Sequence, residues 1–267
     1  MTDSINDLDA GNRRIRKSVD RSLRWLDECL HELNNKDIAV FATVMGHTNE
    51  LERTRSAIET SKRNIQGFII HLNGLKNEQL TRQIRASIDH LAHDKPRLAY
   101  GLSTPEGILH GISNGIDMFD GSYAFKLTEN GRAIMFKFGD EYSENTKDGK
   151  RSLNLWDSSF GQDFEPLDPS CGCSACSRPH SRAYIHHLLT AYEMLASALL
   201  MSHNIYQLDQ FMTSIRNSIK EGRFEQDKYM FLQHYSHDSE NDGKVKHMDE
   251  LDTESLGIPV KKKRAVF

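Results

Sequence analysis

The stretch GLSTPEGILHGISNGIDMFD, residues 101–120, joins two short apolar runs through a helix. Just ahead of it, and overlapping its start, Arg97–Leu102 reads as a buried strand. Thr104 is placed to cap a helix whose first position is Pro105, where a missing N–H costs nothing. Gly107 falls early in that helix, and Gly115–Asp120 reads as the next strand. Short buried strands alternating with helices form βα units, and βα units build a parallel sheet.

The alternation also runs upstream. Ile15, Val19, Leu23, Leu26, Leu30 and Leu33 recur at helical spacing over Gly11–Asn34. Ile38–Val44 is a β-branched run of the kind that sheets bury on both faces. Asn49–Arg63 reads as a helix, Gly67–Leu72 as a strand and Asn77–His93 as a helix. No GxGxxG follows any of these strands, so a dinucleotide-binding fold gains no support. After Asp120 the period changes. Ala133–Phe138 reads as an antiparallel strand with Leu153–Trp156 as its partner, and the turn-rich GDEYSENTKDGK lies between them. Two helices follow, Ser181–His203 and Asn204–Lys220, and residues 236–267 read as a disordered polar tail ending near Lys261–Arg264.

The boundaries expected are a loose leader at 1–11, βα units at 12–126, a hairpin and loop insertion at 127–170, a metal-binding helical subdomain at 171–235 and the tail from 236. The 267 residues carry a formal charge of −4, which argues neither for nor against a nucleic-acid partner. No run approaches the roughly 20 apolar residues that span a bilayer. The opening MTDSINDLDAGN is polar and acidic, unlike a secretory or transit signal, so a cytoplasmic chain with reduced thiols is expected.

Cys171, Cys173 and Cys176 form C-x-C-x2-C. Three thiols this close cannot all pair with one another, but they can wrap one ion. Thiolates favour Zn²⁺, whose structural sites take four ligands. A cluster of cysteines in a reducing compartment points to metal or redox chemistry more than to inert thiols. An iron–sulfur cluster would want a fourth nearby cysteine, and Cys29 is far away in sequence. Spacing leaves the fourth ligand open among His180, His186, His187 and His203.

A C-x-C-x2-C motif followed about 25 residues later by His resembles the zinc signature of the tRNA-guanine transglycosylases. Here 26 residues separate Cys176 from His203, one more than the family spacing, with Pro179 placed to absorb the extra residue. The resemblance therefore implies Cys171, Cys173, Cys176 and His203 as ligands of one Zn²⁺. It extends upstream: GLSTPEGILHGISNGIDMFD resembles the segment leading into the family's catalytic aspartate. RKSVDRSLRWLDECL, DFEPLDPSCGCSAC, SRAYIHHLL and LLMSHN are similar to the eukaryotic accessory branch. Matching stretches run from about Arg13 to about Lys220.

What the resemblance implies is an α/β fold, the C-terminal part of a (β/α)8 TIM-type barrel with an inserted zinc-binding subdomain, the barrel's first strands missing from this chain. It implies a heterodimer with a catalytic subunit that exchanges guanine for queuine at the wobble position of tRNAs with GUN anticodons. The tRNA would be reached through the complex, and the complex would lie on the cytosolic face of the mitochondrial outer membrane by peripheral association. In the family an aspartate attacks the ribose and guanine leaves. Asp120 falls at that position, yet the DSGGFQ-like segment is absent. DGSYAFKLTENGRA stands where the family carries arginines, and Met45-Gly46-His47 stands where it carries a base-reading Gln-Gly-Gly. Met offers a purine edge no hydrogen bond. Asp120 is thus expected to be a vestigial nucleophile position, leaving no catalytic residue in this subunit; the alternative is an active enzyme using Asp120.

Other features carry blander readings. Glu50, Glu52, Arg53 and Arg55 read as a solvated helix face. His186 and His187 point about 100° apart and do not chelate one ion together easily. Trp25 and Trp156 read as core or interface anchors, and PVKKKR as a solvated tail.

Overall fold

The computed structural model describes residues 3, 10–33, 37–72, 77–139, 150–178 and 180–235. The expected leader (Asp3, Ala10 and Gly11 apart), most of the turn after Gly139, Pro179 and the tail from 236 lie outside the described residues. Two compact units divide the chain, at 1–123 and 124–267.

The first unit alternates helix and strand. Helix α1 spans Asn12–Glu32, β1 Phe41–Val44, α2 Glu50–Ser61, β2 Gly67–His71, α3 Asn77–Ile88, β3 Arg97–Tyr100, α4 Pro105–Ser113 and β4 Met118–Phe119. The strands form one parallel sheet in the order β1-β2-β3-β4, as the βα reading expects. Phe41 pairs with Gly67, Phe68 with Arg97 and Leu98 with Met118. The core between sheet and helices contains Val44, Ala57, Phe68, Ile70, Ile84 and Ala99. Thr104 caps α4 by accepting from the Gly107 N–H at 3.2 Å, and Pro105 is the helix's first residue. An added Cβ at Gly111 would meet the Phe119 ring at 2.7 Å, so this glycine lets α4 close onto β4.

The strand before α2 ends in a tight turn built on one buried cation. Gly46 has φ +138°, and a Cβ there would lie 2.4 Å from the Arg53 backbone nitrogen. Arg53, 1% exposed, donates from Nε to the His47 carbonyl at 2.6 Å and to Gln83 Oε1 at 2.7 Å. Its Nη1 reaches Ser87 at 3.1 Å, and its Nη2 reaches the His71 carbonyl at 2.9 Å. Burial pulls its pKa down to about 10. The reading of Arg53 as part of a solvated face is therefore corrected. The guanidinium is the brace that ties the C-terminal ends of β1 and β2 together, because its fork of donors meets two backbone carbonyls and two side-chain oxygens at once.

The second unit begins within α5, Ser122–Glu129. Strands β5, Arg132–Ile134, and β6, Ser152–Asn154, pair antiparallel, shorter than expected. Helices α6, Arg182–Thr190, α7, Met194–Lys220, and α8, Phe224–His234, follow. Phe136, Phe138, Phe211 and Phe231 pack edge-on or tilted with centroids 5.2–5.9 Å apart. Among the described residues no helix is long and apolar enough to cross a membrane.

The expected break between His203 and Asn204 is not where the helices part. The chain turns at Ala191–Glu193, and His203 lies in the interior of α7. Tyr192 takes a left-handed φ of 56°; its N–H donates to the Leu189 carbonyl, and the Glu193 N–H to that of Leu188. This is a Schellman stop. Glycine, its usual marker, is absent, so the sequence gives no signal of it.

Candidate metal centre

The cysteine loop is shaped before any ligand is considered. Asp168 accepts at Oδ1 from the Ser170 N–H at 2.8 Å, and its carbonyl accepts from the Cys171 N–H at 3.1 Å. The Cys173 N–H then points at Cys171 Sγ (3.5 Å) and the Cys176 N–H at Cys173 Sγ (3.4 Å). Backbone donors aimed at sulfur favour the thiolate, the ligating form. Opposite the loop stands α7. His203, 0% exposed, turns Nδ1 toward all three sulfurs, at 3.6 Å from Cys171, 3.7 Å from Cys173 and 3.3 Å from Cys176.

These distances fit one tetrahedral ion. Zinc bonds of about 2.3 Å to sulfur and 2.0–2.1 Å to nitrogen put a sulfur about 3.5 Å from the ring nitrogen across the tetrahedron. The four ligand atoms all lie within 4.8 Å of one another. Nε2 is already engaged, donating to the Ile134 carbonyl at 2.9 Å, so Nδ1 is the nitrogen that faces the sulfurs and offers its lone pair once an ion displaces its proton. His180, His186 and His187 are outside the cluster: His186 Nδ1 faces the Leu155 carbonyl at 2.8 Å, and the His180 ring stacks on Tyr184. All four cysteines are free thiols, with Cys29 exposed and apart.

Electrostatics point the same way. The Cys176 hydrogen bond lowers the Cys171 thiol, burial opposes it, and His203 lowers it further, to about 4. Sharing that proton pushes Cys176 up. Burial alone would lower the His203 ring, but the Cys171 and Cys173 sulfurs outweigh it and hold the ring at about 9. The cluster thus sets anionic sulfur against a positive centre, the role a bound divalent cation takes over as it displaces protons.

Sequence reasoning missed the groups that hold this geometry. Asn204, also 0% exposed, accepts from the Ile134 N–H at 2.8 Å and donates to the Arg132 carbonyl (2.9 Å) and Thr128 Oγ1 (3.0 Å). Behind the loop, Lys137 Nζ donates to Asp168 Oδ2 at 2.7 Å and to Gln207 Oε1 at 3.0 Å, and Gln207 Nε2 donates to the same Asp168 oxygen at 3.1 Å. The only legible signal was Asn204 beside His203 in LLMSHN. Asp120 follows β4, and its Oδ1 accepts from the Ser122 N–H at 2.9 Å at the start of α5.

Comparison with known proteins gives a consistent picture. Residues 1–237 match the family described as queuine tRNA-ribosyltransferase. Among similar proteins is a queuine tRNA-ribosyltransferase accessory subunit 2 from Ixodes scapularis, 37% identical over 81% of this chain and 59% of that protein. Those from Xenopus tropicalis, at 35% over 79% and 59%, and Homo sapiens, at 34% over 80% and 60%, carry the same description. The chain spans about three-fifths of the length of these curated relatives. With the matched residues running through the sheet and the Cys3His cluster alike, the chain belongs to the queuine tRNA-ribosyltransferase family.

Proposed function

We propose that this chain acts as the non-catalytic partner in a heterodimeric queuine tRNA-ribosyltransferase, with Zn²⁺ as a structural ion. The observation that carries the reading is the pairing of a closed four-ligand centre with a degenerate reaction face. Cys171, Cys173, Cys176 and His203 use every position of a tetrahedral ion, so no ligand site is left for substrate. Zinc would fix the loop 171–176 to α7 and supply no reaction chemistry.

At the sheet's C-terminal edge, Met45 is buried where a base-reading side chain is expected, and the carboxylate of Asp120 holds the first turn of α5. Four parallel strands in sequential order are what an arc of a (β/α)8 barrel would contribute. Exposed Tyr184, Tyr192, Met194 and Leu195 beside the metal centre suit the surface that meets the catalytic subunit. We place the complex in the cytoplasm, with peripheral attachment to the mitochondrial outer membrane as part of the same proposal.

Guanine exchange into tRNA is the test, run with this chain alone, the catalytic subunit alone and the co-expressed pair. Exchange by the pair but not by this chain, surviving Asp120→Asn, supports the accessory role. Exchange by this chain alone, lost on Asp120→Asn, would establish the alternative of an active enzyme.

A further inference from the structure

Helix α1 concentrates charge. Between Asn12 and Arg24 it carries six cationic side chains and one carboxylate, Asp20, although the whole chain is acidic at −4. Three of the cations have acidic neighbours. Arg14 and Arg21 reach Asp3 at 2.6 and 2.8 Å, and Arg24 lies 3.7 Å from Glu28. Asp20 is engaged by Arg55 at 2.8 Å. Arg13, Arg16 and Lys17 remain, all exposed, and among the described residues no carboxylate pairs with them. The helix packs through Ile15, Ser18, Val19 and Ser22. At 100° per residue these three cations share the opposite side.

Helix stability does not ask for this pattern. The first turn holds no acidic residue, and Gly11 offers no side-chain cap. Cations near the positive end of the helix dipole are locally unfavourable. A choice that works against its own element points to a role outside it. The location fits such a role: Asn49 Nδ2 donates to Asn12 Oδ1 at 3.0 Å, and Ser18 lines a small cavity with Met45, His47 and His71. The first turns of α1 therefore lie beside the C-terminal ends of β1 and β2, the sheet edge at which α/β proteins bind ligands, with the three cations on the outward side of those turns.

We propose that Arg13, Arg16 and Lys17 form a contact for the phosphate backbone of RNA. The proposal rests on the family reading above for the kind of polyanion. Phosphate contacts position a nucleic acid without reading its sequence, which suits a subunit that aligns tRNA for a partner. An anionic membrane fits less well. Interfacial helices insert an exposed apolar face, whereas the apolar face of α1 is buried against its own unit, and no large hydrophobic within Asn12–Glu32 is exposed.

The test compares the full chain, alone and paired with the catalytic subunit, with Arg13→Glu/Arg16→Glu/Lys17→Glu and the milder Arg13→Gln/Arg16→Gln/Lys17→Gln. Fluorescence anisotropy of a labelled anticodon stem-loop RNA is read across about 50 to 300 mM KCl, where phosphate contacts show as a salt slope. The expected result is at least about tenfold weaker binding at low salt and a slope smaller by about 2 to 3, with helicity and zinc content unchanged. Unchanged affinity and slope in both variants would overturn the proposal. So would wild-type binding to phosphatidylserine vesicles, lost in the variants, with no RNA binding. Guanine exchange by the wild-type pair is scored separately. If exchange is present but the variants bind RNA normally, only the contact face is wrong. If exchange is absent, the family reading falls, and the charge comparison on RNA still decides the face.

Discussion

His203 and Asn204, neighbours on α7, hold the two backbone groups of a single residue, Ile134. His203 donates to its carbonyl at 2.9 Å, and Asn204 accepts from its N–H at 2.8 Å. The metal ligand and the β5–β6 hairpin are thus registered on one residue, through the two peptide groups that flank it. A shift of the hairpin would turn the imidazole, and a missing imidazole would leave Ile134 held to α7 by Asn204 alone.

Replacing His203 by Ala should remove the ion and a buried hydrogen-bonded ring together. We expect zinc content, measured by mass spectrometry on the purified chain, to fall from one per chain to near zero. Stability should fall by about 3 kcal/mol or more, as losses of structural metal sites do. Cys173→Ser should lose zinc too but keep the Ile134 bond, and so should destabilise less.

Asn204→Leu keeps all four ligands but strands the Ile134 N–H and the Arg132 carbonyl. Each buried group left unpaired costs about 1–3 kcal/mol. Denaturant unfolding should show that loss. Competition with a chelator should show zinc affinity about 10–100-fold weaker, the usual effect of removing a hydrogen bond that holds a ligand's support in place. A chelator curve matching wild type would show that His203 needs no such support.

The Asp168–Lys137 pair makes stability depend on acid pH. Burial would raise the Asp168 carboxyl, but Lys137 and Ser170 outweigh it and hold it below its ordinary value. A depressed carboxylate contributes stability that is complete above its unfolded pKa and lost as pH falls through the folded one. Urea midpoints should therefore drop on acidification below about pH 4, and Asp168→Asn should flatten part of that drop. Lys137→Met, which leaves a buried carboxylate uncompensated, should cost about 3–5 kcal/mol at neutral pH.

Asp120→Asn keeps an oxygen acceptor for the Ser122 N–H. Asp120 is half-buried and its bond to Ser122 is kept, so thermal stability should change by no more than about 1 kcal/mol. Guanine exchange by the co-expressed pair should be unchanged.

Tyr192→Gly should stabilise. Glycine adopts the left-handed conformation freely, whereas other residues in it are strained by about 1–2 kcal/mol. Tyr192 is 62% exposed and gives up only an outlying ring contact with Trp156. A net gain of about 0.5–1 kcal/mol in chemical denaturation is expected. A loss would mean that the aromatic corner carries more packing than its exposure suggests.

Much of this was legible because it is periodic or compositional. Thr104–Pro105 marked the start of α4, and short apolar runs marked β1 to β3, since capping and two-sided burial leave local signatures. Cys171, Cys173 and Cys176 marked a metal loop by spacing alone, while His203 came from likeness to a family. The supports of the site were silent. Asn204, Gln207 and Lys137 act across 70 residues of chain, and no local pattern distinguishes a buried amide from an exposed one. Arg53 was misread for the same reason: a cation in a charged stretch looks solvated until four partners close over it. The α6–α7 stop was hidden because Tyr192 occupies a place that glycine usually marks.

That His203 sits inside a 27-residue helix, and not at a chain end, gives the metal centre an order of events. One ligand is mounted on a post whose position is fixed by the core at Leu200, Phe211 and Ile215. The other three hang on a six-residue loop whose internal bonds run mostly to sulfur. During biogenesis the helix can dock first and wait, and the loop folds around the ion afterwards. Damage would run in reverse: oxidation of the thiols would unfasten the loop while the post and its grip on Ile134 stay standing, a site that can be emptied and rebuilt without unfolding the subunit.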